Sequence, residues 1–557
     1  MTHAMRRRDL WVAARVLIVL TALWLTCAVA VSGQVAPQGT DAGLLRWFQG
    51  DREIGRESFR RTPALLETET QVPMLNLVLR YRSEYDTQGR LVRFEGRAVD
   101  PRADTVVRTY TAVFDGDTVR MRQVGGRPAD SSWVRAARAE AVVGSQSLAA
   151  MADLIQRAGG RDGSAFTWSP ERNDTVRFQV SFGGDSADVR WMGMPMVARV
   201  GPTGRVEQLE IATQRLRAVR WNGRDSLPPL EGSRRPTPDY SAPPGAPYAA
   251  EEVRVPVRTA AGDTFSLACT LTIPRAGRAP YPAAVTITGS GLQDRDESLW
   301  PLVPEYRPFR QVVERLAASG IAALRCDDRG FGGSGGDVRN VTSQDFADDV
   351  TAQLGWLEAQ PRIARTRLAL VGHSEGGIIA PMVGRMHAGL AAMVLMAGTA
   401  KNGVAVLRDQ VTWPIVSAPG LGEERKRELI AQAVSQIEQD TTPVPWLRWF
   451  RSYDPLPTAR RVRQPVLILQ GALDRQVTAG QADTLGAAIR AGGNRDVTVR
   501  VFPGLNHLFV LSPTDGSPSE YASLRGATMA PEVLDVMAAW LAQRLRATGA
   551  GRRAVRD

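Results

Sequence analysis

Cysteine and histidine are nearly missing from this sequence, three and four in 557 residues, and each scarcity excludes a class of chemistry. Cys27, Cys269 and Cys326 permit at most one bridge, so no disulfide framework holds the fold. His3, His373, His387 and His507 form no cluster with zinc-ligand spacing, so a metal enzyme is not expected. A repeat of about 40–50 residues is also missing, which argues against a propeller. Acidic residues fall short of basic ones, leaving a net charge of +11, yet the arginines are scattered through every segment. With no basic stripe, nucleic acid is not an expected partner. What is present in ordinary measure is core material: 43% hydrophobic and 23% charged residues, as in globular chains. The length exceeds what one core supports, about 250–300 residues, so at least two domains are expected.

The N-terminus has a targeting pattern. Arg6, Arg7, Arg8 and Arg15 lead into an apolar run over 16–31 that contains Ala28-Val29-Ala30, the small-x-small pattern of a cleavage site. Residues 1–36 are therefore expected to be a signal peptide, with the mature body periplasmic or extracellular. Membrane contact is expected only if this segment is retained. From 40 to 224 the pattern has period two, as in Val176, Phe178, Val180 and Phe182, or Val119 and Met121, with turn residues between. A mainly antiparallel β domain with one helix, around Leu148, Met151 and Ile155, is expected there; its role is not legible. Seven prolines between Pro228 and Pro247 mark 225–250 as a linker or an extended arm along the surface.

From 251 to 546 strand and helix alternate. Val253, Val255 and Val257 face Phe265, Leu267, Cys269, Leu271 and Ile273 across a turn, which makes a hairpin and makes Cys269 a core-facing strand residue. An apolar run over 283–287 follows. A helix opened by Pro308 comes next, then a strand over 321–324, a helix from Ser343 capped by Thr342 and Asp345, and a strand over 368–371. That rhythm predicts an α/β fold, a largely parallel sheet covered on both faces, with its site beyond the carboxyl ends of the strands.

Gly372-His373-Ser374-Glu375-Gly376 fits G-x-S-x-G between a strand and a helix, the setting that exposes a nucleophilic serine on a strained turn. Gly332-Gly333-Ser334-Gly335-Gly336 also fits, but it lies in loop on both sides. The same loop mimics a dinucleotide fingerprint from Gly330 to Gly335 without the helix that fingerprint requires. A serine hydroxyl needs a base and the base an orienting acid. His507, after the strand 497–502, is the candidate base, whereas His387 falls at a helix end too early in the chain. Asp474, after the apolar strand 466–469, is the candidate acid. An oxyanion needs two N–H donors. The backbone of Glu375 is one candidate; the other comes from Gly289-Ser290-Gly291, with Ser290 favoured and Gly291 next.

Thr288-Gly289-Ser290-Gly291-Leu292-Gln293-Asp294-Arg295-Asp296-Glu297, Asp327-Asp328-Arg329-Gly330, Gly372-His373-Ser374-Glu375-Gly376-Gly377 and Pro503-Gly504-Leu505-Asn506-His507 together resemble bacterial secreted α/β-hydrolases of the esterase and serine-aminopeptidase-like group. The resemblance implies carboxylester hydrolysis without metal or organic cofactor, and a short helical cap, which the insertion at 401–463 would supply. Trp446, Trp449 and Phe450 in that insertion either line an acyl pocket or pack the cap onto the body. A small-molecule ester or short peptide is the expected substrate. The rivals are an aminopeptidase or amidase with the same triad, and a non-catalytic secreted binding protein.

Overall fold

The computed structural model describes residues 40–546, apart from short interruptions of which the longest is 231–237. The expected signal peptide over 1–36, and Cys27 within it, lie outside the described residues. Among the described residues no helix is long and apolar enough to cross a membrane.

Fifteen strands between Asp41 and Arg220 form one sheet, almost wholly antiparallel. Two meanders are joined where the unit begins and ends, because its first strand, Asp41–Gln49, pairs with its last, Leu216–Arg220. Period-two patterning puts Trp47, Phe94, Met121, Phe178 and Val180 on one buried face, and the single helix, Leu148–Ala158, packs into that core. Glu57 reaches across to the helix start, accepting from Ser147 Oγ, Leu148 N and Ala149 N; burial pushes its carboxyl up to about 7. The expected β domain with one helix is thus observed.

The C-terminal unit has eight strands: β1 (Tyr248–Arg258), β2 (Thr264–Pro274), β3 (Tyr281–Ile287), β4 (Ala322–Cys326), β5 (Ile363–His373), β6 (Ala392–Met396), β7 (Val466–Gly471) and β8 (Val497–Phe502). Their order is 1-2-4-3-5-6-7-8, antiparallel from β1 through the β2–β4 pair and parallel beyond it. Strands β4, β6 and β7 are buried along their whole length, so they read as continuous apolar runs rather than alternations. Helices α1 (Pro308–Ala318), α2 (Ser343–Glu358), α3 (Gly376–Met386), α8 (Gly480–Ala491) and α9 (Pro531–Arg544) surround the sheet. The insertion between β6 and β7 carries four more: α4 (Gly403–Val416), α5 (Glu423–Gln439), α6 (Pro445–Ser452) and α7 (Pro455–Ala459). This is the α/β-hydrolase fold. The capping box on α2 forms as expected, with Thr342 and Asp345 each satisfying the other's backbone N–H.

One boundary differs from expectation. Strand β1 starts at Tyr248, inside the stretch assigned to the linker. Ahead of it Asp239 and Ser241 lend their carbonyls to Arg307 and Arg310, while Arg295 stacks 4.1 Å over the Tyr240 ring, so this part of the chain is an arm docked on the C-terminal unit. Cys269 is a buried core residue, as expected, and is also bonded to Cys326 at directly opposed positions of β2 and β4. Closing a loop over a sequence separation of 57 contributes about 4 kcal/mol on the chain-entropy account.

Candidate active site

Ser374 sits at the carboxyl end of β5 with φ 54°, left-handed backbone that a serine adopts only under constraint. The glycines around it explain why the turn can exist. A Cβ on Gly372 would lie 2.1 Å from Gly376 O, and one on Gly376 would lie 2.2 Å from Ile287 O. Gly377 faces Gly398 so closely that its Cβ would come within 2.7 Å of the Gly398 Cα. Chain compression at these three points turns the strand into α3 within two residues and leaves the Ser374 side chain partly exposed at the helix start.

His507 lies in the loop after β8, and its Nδ1 is 2.8 Å from Asp474 Oδ2. Asp474 divides its oxygens between two tasks. Oδ1 accepts from Gln476 N and Val477 N, each at 2.8 Å, fixing the turn after β7, while Oδ2 takes His507 and Gln470 Nε2. The aspartate is 1% exposed and the histidine 4%. Ser374 and this pair meet through the neighbouring residue: the rings of His373 and His507 are 4.8 Å apart.

The loop after β3 presses on the elbow, since a Cβ on Gly289 would come within 3.2 Å of Ser374 Cβ. Gly289 N is committed to Glu297 Oε1 at 2.7 Å. The amides of Ser290, Gly291 and Glu375 have no partner among the described residues, and Gly291 has the positive φ of 100° that glycine tolerates. These are the three positions singled out as donors to an oxyanion. The acidic and basic residues of the loop motifs staple it from behind. Arg295 Nε and Nη2 grip Asp327, and Asp328 accepts from Thr288 Oγ1 and Gln293 N, each at 2.8 Å. Burial pushes the Asp328 carboxyl well above the usual carboxylate range. Glu297, His373 and Gln470 are site residues to which the motifs assigned no role, although two of them stand inside the matched segments.

The aromatics of the insertion resolve in favour of packing for two of three. Trp446 and Phe450 are buried and stacked, with centroids 5.4 Å apart, and Phe450 abuts Gly403. Trp449 is half-buried against Tyr453. Trp446 also donates from Nε1 to Glu375 Oε1 at 2.7 Å, and Ser343 Oγ donates to the same oxygen. The insertion is therefore hydrogen-bonded to the residue that follows Ser374. Trp446→Phe keeps the stack and removes the donor. If Ser374 is the nucleophile, turnover should fall about 3- to 10-fold, in keeping with the roughly 0.5–1.5 kcal/mol net contribution of one hydrogen bond. Steady-state kinetics beside a thermal melt measures this, and an unchanged kcat would mean the contact does not reach the chemistry.

The competing motifs are structural. Ser334 is 3% exposed, its Oγ donating to Asp327 O at 2.7 Å and accepting from Ala268 N at 2.8 Å, so it closes a loop. Gly330 N bonds to Gly335 O within that loop, and among the described residues no helix starts between the loop and Ser343. His387 ends α3 and pairs with Glu358.

The elbow, the strand order and the His–carboxylate pair at the strand ends define the class, an α/β-hydrolase with a helical insertion and an added β unit. Comparison with known proteins agrees with that class. Residues 304–430 match the family model described as "Serine aminopeptidase, S33". Esterase EstD of Thermotoga maritima is 26% identical over 278 residues, 49% of this chain and 64% of the relative. Dipeptidyl aminopeptidase BIII of Pseudoxanthomonas mexicana is 24% identical over 266 residues, 46% of this chain and 35% of the relative. The match thus spans less than two thirds of either relative. Among solved structures, an esterase of Pyrococcus furiosus overlays with a TM-score of 0.37 at 15% identity, covering 56% of this chain and 95% of that one. The resemblance to the esterase and serine-aminopeptidase-like group, read from the motifs, holds.

Proposed function

We propose that the protein is a serine hydrolase that cleaves carboxylic esters through an acyl-enzyme on Ser374. The observation that carries this reading is the buried His507–Asp474 pair, 2.8 Å apart, set beside a serine held at φ 54°. His507 takes the Ser374 proton as the oxygen attacks the ester carbonyl, and Asp474 holds the ring by its Nδ1. The Glu375 amide and that of Ser290 or Gly291 take the oxyanion. His507 then protonates the leaving alcohol, and water repeats the sequence on the acyl-enzyme. The substrate is a small-molecule ester; a short peptide is the second candidate, because the matched relatives include both kinds of name. Export is part of the proposal, supported by the N-terminal pattern and by a disulfide that suits an oxidising compartment.

A panel of p-nitrophenyl esters of graded acyl length beside aminoacyl p-nitroanilides tests the substrate class. Short esters should exceed anilides in kcat/KM by at least about 10²-fold, the discrimination that an apolar pocket alone supplies. The reverse order would assign the site to an aminopeptidase, and no turnover of either would favour the binding-protein reading.

A further inference from the structure

Two histidine–carboxylate pairs stand side by side at the centre of the site. In one, His507 Nδ1 faces Asp474 and the other ring nitrogen is free for chemistry. In the other, His373 Nδ1 is 2.9 Å from Glu297 Oε1, and its Nε2 is 3.0 Å from the backbone carbonyl of His507. A carbonyl can only accept, so His373 Nε2 carries a proton. Glu297 beside Nδ1 favours a second proton on the imidazole, by its charge and by the hydrogen bond, against the cost of burial. With both nitrogens protonated, the ring is an imidazolium.

Its partner is built for the purpose. Glu297 is 2% exposed, is held at φ 56°, and turns the same Oε1 to Gly289 N at 2.7 Å. One carboxylate thereby joins the loop after β3 to the residue preceding Ser374, and the ring it holds joins both to the loop carrying His507. Phe509, also at positive φ, closes the far side with its ring centroid 6.2 Å from that of His373. Tyr306, which acts electrostatically on Glu297, donates to the next carbonyl along, that of Leu508. The charged and titratable groups around His373 are therefore Glu297 from the loop after β3, Asp474 from the loop after β7 and His507 from the loop after β8, with Tyr306 acting through Glu297.

We propose that Glu297 and His373 are positioning residues of this site, His373 serving as a standing imidazolium strut that sets the His507 backbone against the elbow. The proposal rests on the reading of Ser374 as nucleophile and His507 as base. Burial alone would drive the proton off His373, but the Glu297 charge and the His507 carbonyl outweigh it, and the ring holds its proton above the ordinary imidazole value. A proton held more tightly by the folded chain contributes stability in full below about pH 6.5, and that contribution is lost as pH rises through the folded value. The site is thus expected to loosen from the alkaline side.

The experiment is ¹⁵N NMR of the histidine-labelled full chain, with only four rings to assign, beside fluorophosphonate labelling of the native protein, Glu297→Gln and Ser374→Ala. At pH 7 one ring of the native protein should show both nitrogens protonated. Glu297→Gln should convert that ring to a single protonation, slow labelling at least about tenfold and change the shape of the pH–rate curve, while the melt stays cooperative. A singly protonated His373 in the native protein, or Glu297→Gln labelling at the native rate with the native pH curve, would overturn the proposal. If Glu297→Gln does not fold, the native spectrum decides alone. Failure of the native protein to label would count against Ser374 as nucleophile, and the His373 spectrum would still report the strut.

Discussion

Ser374→Ala is expected to abolish covalent labelling by a fluorophosphonate and to cut ester turnover by about 10⁴-fold or more, with the melting temperature little changed. The size follows from what is removed. The hydroxyl at the elbow is the only group in the proposed cycle that forms a bond to substrate, and what survives its loss is binding and the oxyanion donors. Stability should hold because the strain at φ 54° resides in the backbone, which alanine must also adopt, while the buried glycines that permit the turn are untouched. Ser334→Ala is the matched control. Labelling should persist, and about 1–3 kcal/mol of stability should be lost, because Ala268 N is left buried without its acceptor. Persistence of labelling in Ser374→Ala would remove the central claim.

Asp474→Asn should lower kcat by about 10⁴-fold while leaving KM within a few-fold. The carboxylate receives four donors: Gln476 N, Val477 N, Gln470 Nε2 and His507 Nδ1. Asparagine has one acceptor oxygen, and the turn amides claim it. Its NH₂ then faces both Gln470 and His507, and the imidazole is forced into the tautomer whose Nε2 carries the proton and cannot act as a base. Single-turnover measurement of the acylation step would locate the loss, and a drop confined to KM would show that Asp474 serves the turn and not the base.

The catalytic unit was legible because its chemistry leaves local marks. Glycines at 372, 376 and 377 are demanded by backbone collisions of 2.1–2.7 Å, and a strand buried on both faces must be an apolar run. Asp474 could be found because it follows a strand of that kind, and His507 because it follows β8, where Val497, Val499 and Val501 alternate with polar residues. The Cys269–Cys326 bond was not, because pairing of β2 with β4 leaps over β3, and no pattern within either segment reports which strands become neighbours. Glu297 and His373 were hidden for the same reason: each looks like an ordinary motif letter until loops from three strand ends are brought together. The insertion's aromatics stayed ambiguous because a tryptophan that packs and one that also donates a hydrogen bond are the same letter. In the N-terminal unit alternation revealed strands and their inner face, but nothing in a period of two states how many strands one sheet gathers.

The pairing of Asp41–Gln49 with Leu216–Arg220 runs antiparallel, with Trp221 N bonded to Leu44 O, so the chain enters and leaves the N-terminal unit at one place. Mechanically the unit is a side branch and not a spacer. Tension between the leading segment and the catalytic unit would meet this strand pair from its open end and part its hydrogen bonds in sequence, a peeling geometry that yields at lower force than sliding all of them at once. The same arrangement means that removing 41–220 would shorten the path from residue 40 to the catalytic unit very little, which makes that deletion a clean way to ask what the β unit adds.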